Sequence, residues 1–155
     1  MGELSHAKSY RDLVVYQKSR QAAKEIFFLT KRWPKDENFS LTSQIRRSSR
    51  SVGAQIAEAW AKRKYEKHFI SKLTDADGEQ QETQHWLETA SDCEYLTDKE
   101  LKHLLSLLDE VGRMLNSMIG KSNLFCSSPE KGYVKEETAL YFTQAPIINN
   151  EPTDN

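Results

Sequence analysis

Apolar residues recur at helical spacing through the first 120 positions, in four runs. The first spans about residues 10–33. Ser9 with Asp12 three residues on reads as an N-terminal cap, and Pro34 stops the run. Its apolar set is Leu13, Val15, Tyr16, Ala22, Ala23, Ile26, Phe27, Leu29 and Trp33. That set covers roughly 200° of helix surface, about twice what a helix packed on one side needs. The second run, 41–61, carries Leu41, Ile45, Ser48, Val52, Ile56 and Ala59 as a narrow seam, with Ser40 as candidate cap. Behind the seam lie Ala54, Ala57 and Ala61 with Arg46 and Arg50, and Gly53 and Arg47 sit at the edges. The third run, 66–96, repeats Phe69, Leu73, Ala76, Gln80, Thr83, Leu87 and Ala90, a stripe polar at its centre. The fourth opens on a Thr97–Glu100 capping box and continues through Leu101, Leu104, Leu105, Leu108, Val111, Leu115, Met118 and Ile119, with Gly120 as its stop.

Short turns between long helices make neighbours antiparallel. The pattern therefore predicts an all-α fold, an up-down-up-down antiparallel four-helix bundle over residues 1–120. Residues 121–155 hold three of the four prolines and no sustained period. They read as a flexible, disordered C-terminal tail in which only 133–142 resembles a short helix or strand. The surplus apolar surface of the first helix and the small-residue back of the second call for a further partner, which a homo-oligomer supplies.

Charge changes this picture more than composition does. The chain has 155 residues and a formal net charge of −1. Residues 1–72 nevertheless hold 16 Lys and Arg against 7 Asp and Glu, and residues 73–155 hold 6 against 16. Such halves point to a polyanion partner or to pairing of one half with the other. No apolar run reaches the roughly 18 residues of a membrane span, and the first residues lack a secretory core. Cys93 and Cys126 are too far apart in sequence for a zinc spacing. The expectation is a cytoplasmic protein with no membrane association.

The second helix carries Leu41-Thr42-Ser43-Gln44-Ile45-Arg46-Arg47 and then Ser51-Val52-Gly53-Ala54-Gln55-Ile56-Ala57-Glu58. With Tyr10, Leu13, Tyr16 and Gln17 before it and Arg113-Met114-Leu115 after it, the chain resembles the 23S rRNA intervening sequence protein family over about residues 8–120. Glu79 and Glu82 match a Glu-x-x-Glu pair of its third helix. The resemblance implies a four-helix bundle assembled as a homopentamer around a channel, with a basic surface suspected of binding nucleic acid and no catalytic activity. Accessory proteins of diversity-generating retroelements, which bind a reverse transcriptase and nucleic acid, are similar.

From the residues themselves, the main functional signal is basic. Arg46, Arg47 and Arg50 on the second helix, with Lys62, Arg63, Lys64 and Lys67 around the next turn, are the candidate nucleic-acid-binding residues. Arg pairs bidentately with phosphate and Lys adds point charge. Tyr65 and His68 interleave and are suited to stacking. No base-reading motif occurs, so contact would be with the backbone of RNA or DNA. The competing reading pairs the three arginines with carboxylates across a subunit interface. The acidic stretch 75–110, 11 carboxylates against Lys99 and Lys102, reads as a solvated face, a mate for the basic half, or a dock for a partner protein. Glu82/His85 and Glu100/His103 share the Glu-x-x-His spacing of dimetal bundles. Their levels are offset by roughly 12 Å and both histidines point off the core stripes, so neither metal nor cofactor is expected. No nucleophile, acid and base converge, so no enzyme is expected. The two functional readings are a non-enzymatic, homo-oligomeric nucleic-acid-binding bundle and a scaffold that docks a partner protein.

Overall fold

The computed structural model describes residues 7–126. Four long helices carry the fold: α1 (Val14–Thr30), α2 (Leu41–Ala61), α3 (Glu66–Asp92) and α4 (Asp98–Gly120), followed by a short α5 (Ser122–Phe125). The described residues contain no strand, and none of their helices is long and apolar enough to cross a membrane. Side-chain partners show the directions. Arg47 meets Glu79 and Glu82 while Lys72 reaches back to Glu58, so α2 and α3 are antiparallel. Lys18 with Glu110 and Arg32 with Glu100 show the same for α1 and α4.

Local chemistry decides where the elements start. Ser9 and Asp12 form a full capping box, but it caps a single 3-10 turn, Tyr10–Asp12. Leu13 is extended, and α1 begins only after it. The helix expected from residue 10 is therefore broken at its first turn. Thr97 and Glu100 form the expected box on α4. Ser40 makes no side-chain cap on α2. Glu37 replaces it: one carboxylate oxygen accepts the Leu41 N–H at 3.1 Å and the other accepts the Tyr95 hydroxyl at 3.1 Å. A carboxylate there also complements the positive end of the helix dipole.

The ends differ from the periodicity as well. α3 stops at Asp92, because Glu94 turns the chain with φ 61°. α4 ends at Gly120 as expected, but Gly120 is the last helical residue and has no positive φ, so it is not a left-handed cap. The chain bends at Lys121 instead and adds α5, whose Phe125 is buried against Phe69. Packed structure thus continues past residue 120, in a four-residue helix too short to show a period. The 133–142 segment lies outside the described residues.

The seams expected for α2 and α3 are the buried ones: Leu41, Ile45, Ser48, Val52, Ile56 and Ala59, facing Phe69, Leu73, Ala76, Gln80, Thr83, Leu87 and Ala90. The core divides in two. One cluster joins Leu13, Val15, Val52, Ile56, Phe69, Leu73, Leu115 and Phe125, and the other joins Ala22, Ile26, Trp33, Ile45, Leu87 and Leu108. Between them runs a buried polar layer of Ser19, Ser48, Ser49, Gln80 and Thr83. Ser48 and Thr83 share a hydrogen bond at 2.9 Å, and Gln80 donates to Asp77 and accepts from Gln84. Each polar group is paired, so the layer avoids the ~1–3 kcal/mol cost of a buried orphan. Gly112 makes room for it: a Cβ there would lie 2.7 Å from Gln80 Nε2.

Candidate nucleic-acid interface

The seven basic residues singled out from the sequence fall in three places. Arg47 lies on the α3 side of α2, bonded to Glu82 at 2.5 Å and to Glu79 at 3.4 Å. Charge and hydrogen bonding from these carboxylates raise its pKa, led by the bond to Glu82. The same bond, helped by the Trp86 indole N–H at 3.1 Å, holds the Glu82 carboxyl below its ordinary value. A carboxyl lowered in the folded state stabilises above its ordinary range, and that contribution drains away as pH falls through the folded value. The stability difference between wild type and Glu82→Gln is therefore expected to be constant above pH ~5 and to close below pH ~4. The pair is about one-third to one-half exposed, so the plateau should stay under ~1 kcal/mol. Urea titrations across pH measure it, and a gap that widens in acid would reverse the sign of the argument.

Arg46 and Arg50 lie on the other side of α2, against α1. The Arg46 Nε–H donates to Thr30 Oγ1 at 2.8 Å, and its guanidinium sits 4.9 Å from the centre of the Phe27 ring. Arg50 is 5.6 Å from the same ring, and Lys31 Nζ is 4.8 Å from it. Three cations therefore converge on one aromatic side chain. Cation–π attraction orients them but leaves their charge uncompensated. Further along α1, Arg20 stands over Tyr16 at 6.0 Å, and Lys24 is exposed beside it. Among the described residues, no carboxylate lies within 4.0 Å of Arg20, Lys24, Lys31, Arg46 or Arg50.

Arg20, Lys24 and Arg50, with Phe27, line a groove of about 530 Å³ between α1 and α2. Its floor is Ala23, Gly53, Ala54 and Ala57, its walls are Tyr10, Tyr16 and Phe27, and its rim is Arg20, Lys24 and Arg50. Small residues at 53, 54 and 57 explain why it is open: a Cβ on Gly53 would stand 3.3 Å from Ser19 Oγ and 3.5 Å from the Tyr16 ring.

The third place is the α2–α3 turn. Lys62, Lys64 and Lys67 are exposed, and among the described residues none has a carboxylate within 4.0 Å. Arg63 folds back onto Trp60, 3.5 Å from the ring, and donates to the Trp60 carbonyl at 2.9 Å. Burial lowers its pKa. Tyr65 is 58% exposed with His68 beside it at 5.6 Å, so the aromatic interleaving of this turn faces solvent.

Arg20, Lys24 and Lys31 were absent from the sequence-based set. Their signal was present: Tyr16, Arg20, Ala23, Phe27 and Lys31 share one side of α1, inside the apolar surplus noted above. It took the position of α2 to show that this side and the Arg46–Arg50 side share one groove. The Glu-x-x-His pairs are engaged separately. Glu82 holds Arg47, His85 packs on Trp86, Glu100 completes the α4 cap and bonds Arg32, and His103 bonds Glu25 at 2.8 Å. Burial pushes the Cys126 thiol up to about 11, with Glu66 adding to the rise, so at neutral pH it is a thiol rather than a nucleophile.

Comparison with known proteins agrees with this architecture. The pattern of the 23S rRNA-intervening sequence protein family matches residues 11–117. A crystal structure of a protein of unknown function from the S23 ribosomal protein family of Bacteroides thetaiotaomicron is similar. It shares 34% identity, covers 69% of this chain and 96% of its own, and superposes with a TM-score of 0.63. No curated protein matches the chain.

Proposed function

The chain belongs to the 23S rRNA-intervening sequence protein family, and on that premise we propose that it is a non-enzymatic, cytoplasmic, homo-oligomeric bundle that binds the backbone of RNA or DNA. The observation that carries the reading is the convergence of Lys31, Arg46 and Arg50 on Phe27, with Arg20 and Lys24 alongside and no carboxylate among the described residues to neutralise them. Like charges held together repel unless an anion joins them. A phosphate backbone supplies anions at regular spacing, and its condensed counterions are released on binding. Lys62, Lys64 and Lys67 extend the basic surface at the bundle end. Assembly of several copies would repeat both patches. Phe28, 54% exposed on α1, and Phe39, 98% exposed before α2, support a further covering partner. Arg47 and Arg63 act within the fold, the first as a clasp between α2 and α3 and the second as a lid on Trp60.

Salt titration of binding to mixed-sequence nucleic acid tests the proposal. With about four to six phosphates contacted, log K is expected to fall against log salt with a slope of about −3 to −5. Absence of binding at about 50 mM salt would refute it. The scaffold reading, in which acidic α3 and α4 surfaces dock a protein, would then take its place.

A further inference from the structure

The α1–α2 groove is concave as well as basic. We infer that it accepts an unstacked base, so that the natural ligand of this face is single-stranded. The inference rests on the backbone-binding reading above and goes beyond it.

A surface that only attracts phosphate needs cations, and a flat or convex row of them suffices. This face has a recess as well. The recess measures about 530 Å³ and is open to solvent along one side, within the ~300–1,000 Å³ range of small-molecule clefts. Its small apolar lining is made by Ala23 of α1 and Gly53, Ala54 and Ala57 of α2. Its ends are aromatic: Tyr10 and Tyr16 in edge-to-face contact at 4.9 Å, and Phe27 beneath its cations. Arg50 and Arg20 present guanidinium planes at the rim, and such planes stack on bases as aromatic rings do.

A duplex cannot use this recess, because its bases are stacked inside and only phosphate and sugar reach the protein. A single strand can lay a base on the small-residue floor against Tyr16 while its phosphates meet Arg20, Lys24 and Arg50. The charge of the rim and the apolarity of the floor are then satisfied by one ligand. Every base has a π-face and the groove offers no pattern of donors and acceptors in its floor, so recognition would tolerate any sequence.

The test compares labelled single-stranded RNA, single-stranded DNA and the matching duplex, each of about 12 nucleotides or base pairs, by fluorescence anisotropy with the full chain. Either single strand is expected to bind at least about tenfold more tightly than the duplex. The discriminating variant is Ala54→Leu. Ala54 is exposed on the floor and carries no charge, so leucine fills the recess and leaves the rim intact. It should weaken single-strand binding about tenfold and change duplex binding less than about twofold. Duplex binding as tight as single-strand binding overturns the inference while leaving the backbone-binding reading in place. So does a helical Ala54→Leu protein that binds single strands as well as wild type. Failure of all three probes to bind wild type at low salt overturns both.

Discussion

Retention on RNA and on DNA at low salt is expected to be lost in the Arg46→Glu, Arg50→Glu double variant, with affinity falling by about a hundredfold or more. Two favourable charges become two repulsive ones at the centre of the convergence on Phe27. The structural cost is small by comparison. Arg50 is exposed and has no ion-pair partner among the described residues. Arg46 gives up one hydrogen bond to Thr30, worth about 1 kcal/mol. The new glutamates stand four residues apart on α2 and repel by a few tenths of a kcal/mol. Helicity and subunit mass should therefore match wild type. Retention unchanged by the double variant would remove the α1–α2 face from the proposal. Dissociation of the assembly with the charges reversed would show that this face meets carboxylates of a neighbouring copy. Lys62→Glu with Lys64→Glu is the companion measurement for the α2–α3 turn.

The second large effect concerns stability. Phe69→Ala is expected to lower the free energy of unfolding by ~3–5 kcal/mol, read from urea denaturation at fixed protein concentration. Phe69 is 1% exposed and sits in the cluster that also contains Val52, Ile56, Leu73 and Met118. Its ring stacks on Phe125 at 5.9 Å, so its loss both opens a cavity and loosens α5. With domain stabilities of ~5–15 kcal/mol, the change takes a large share of the total. A cost under ~1 kcal/mol would mean that this end of the bundle, α5 included, is not closed as described.

The seams of α2 and α3 were legible residue by residue, because a 3.6-residue period with one buried side leaves little freedom about which positions face inward. Gln80 and Thr83 fell on the α3 stripe by spacing despite their polarity, and both are buried. The turns were less legible. Ser40 had the right chemistry and place for a cap, but Glu37 reaches Leu41 across a 3-10 turn that no local pattern announces. The same limit applies to the candidate site. Arg46, Arg47 and Arg50 look alike in the chain, and a turn of only roughly 60–100° around α2 sends Arg47 to the α3 carboxylates and the other two to α1.

The sequence by itself determined the helices, their inward faces and the segregation of charge, since all three are properties of residues close together along the chain. Only the tertiary structure decided where that charge is compensated and where it is not. Pairing antiparallel helices sets residues dozens of positions apart side by side. It neutralises Arg47 with α3 carboxylates and leaves Arg46, Arg50 and Lys31 gathered on Phe27 with no carboxylate within 4.0 Å among the described residues. It also turns the small residues behind the α2 seam and the surplus apolar surface of α1 into the floor and walls of one groove. Compensation of charge and closure of a groove depend on distances across helices, and those distances exist only once the bundle has formed.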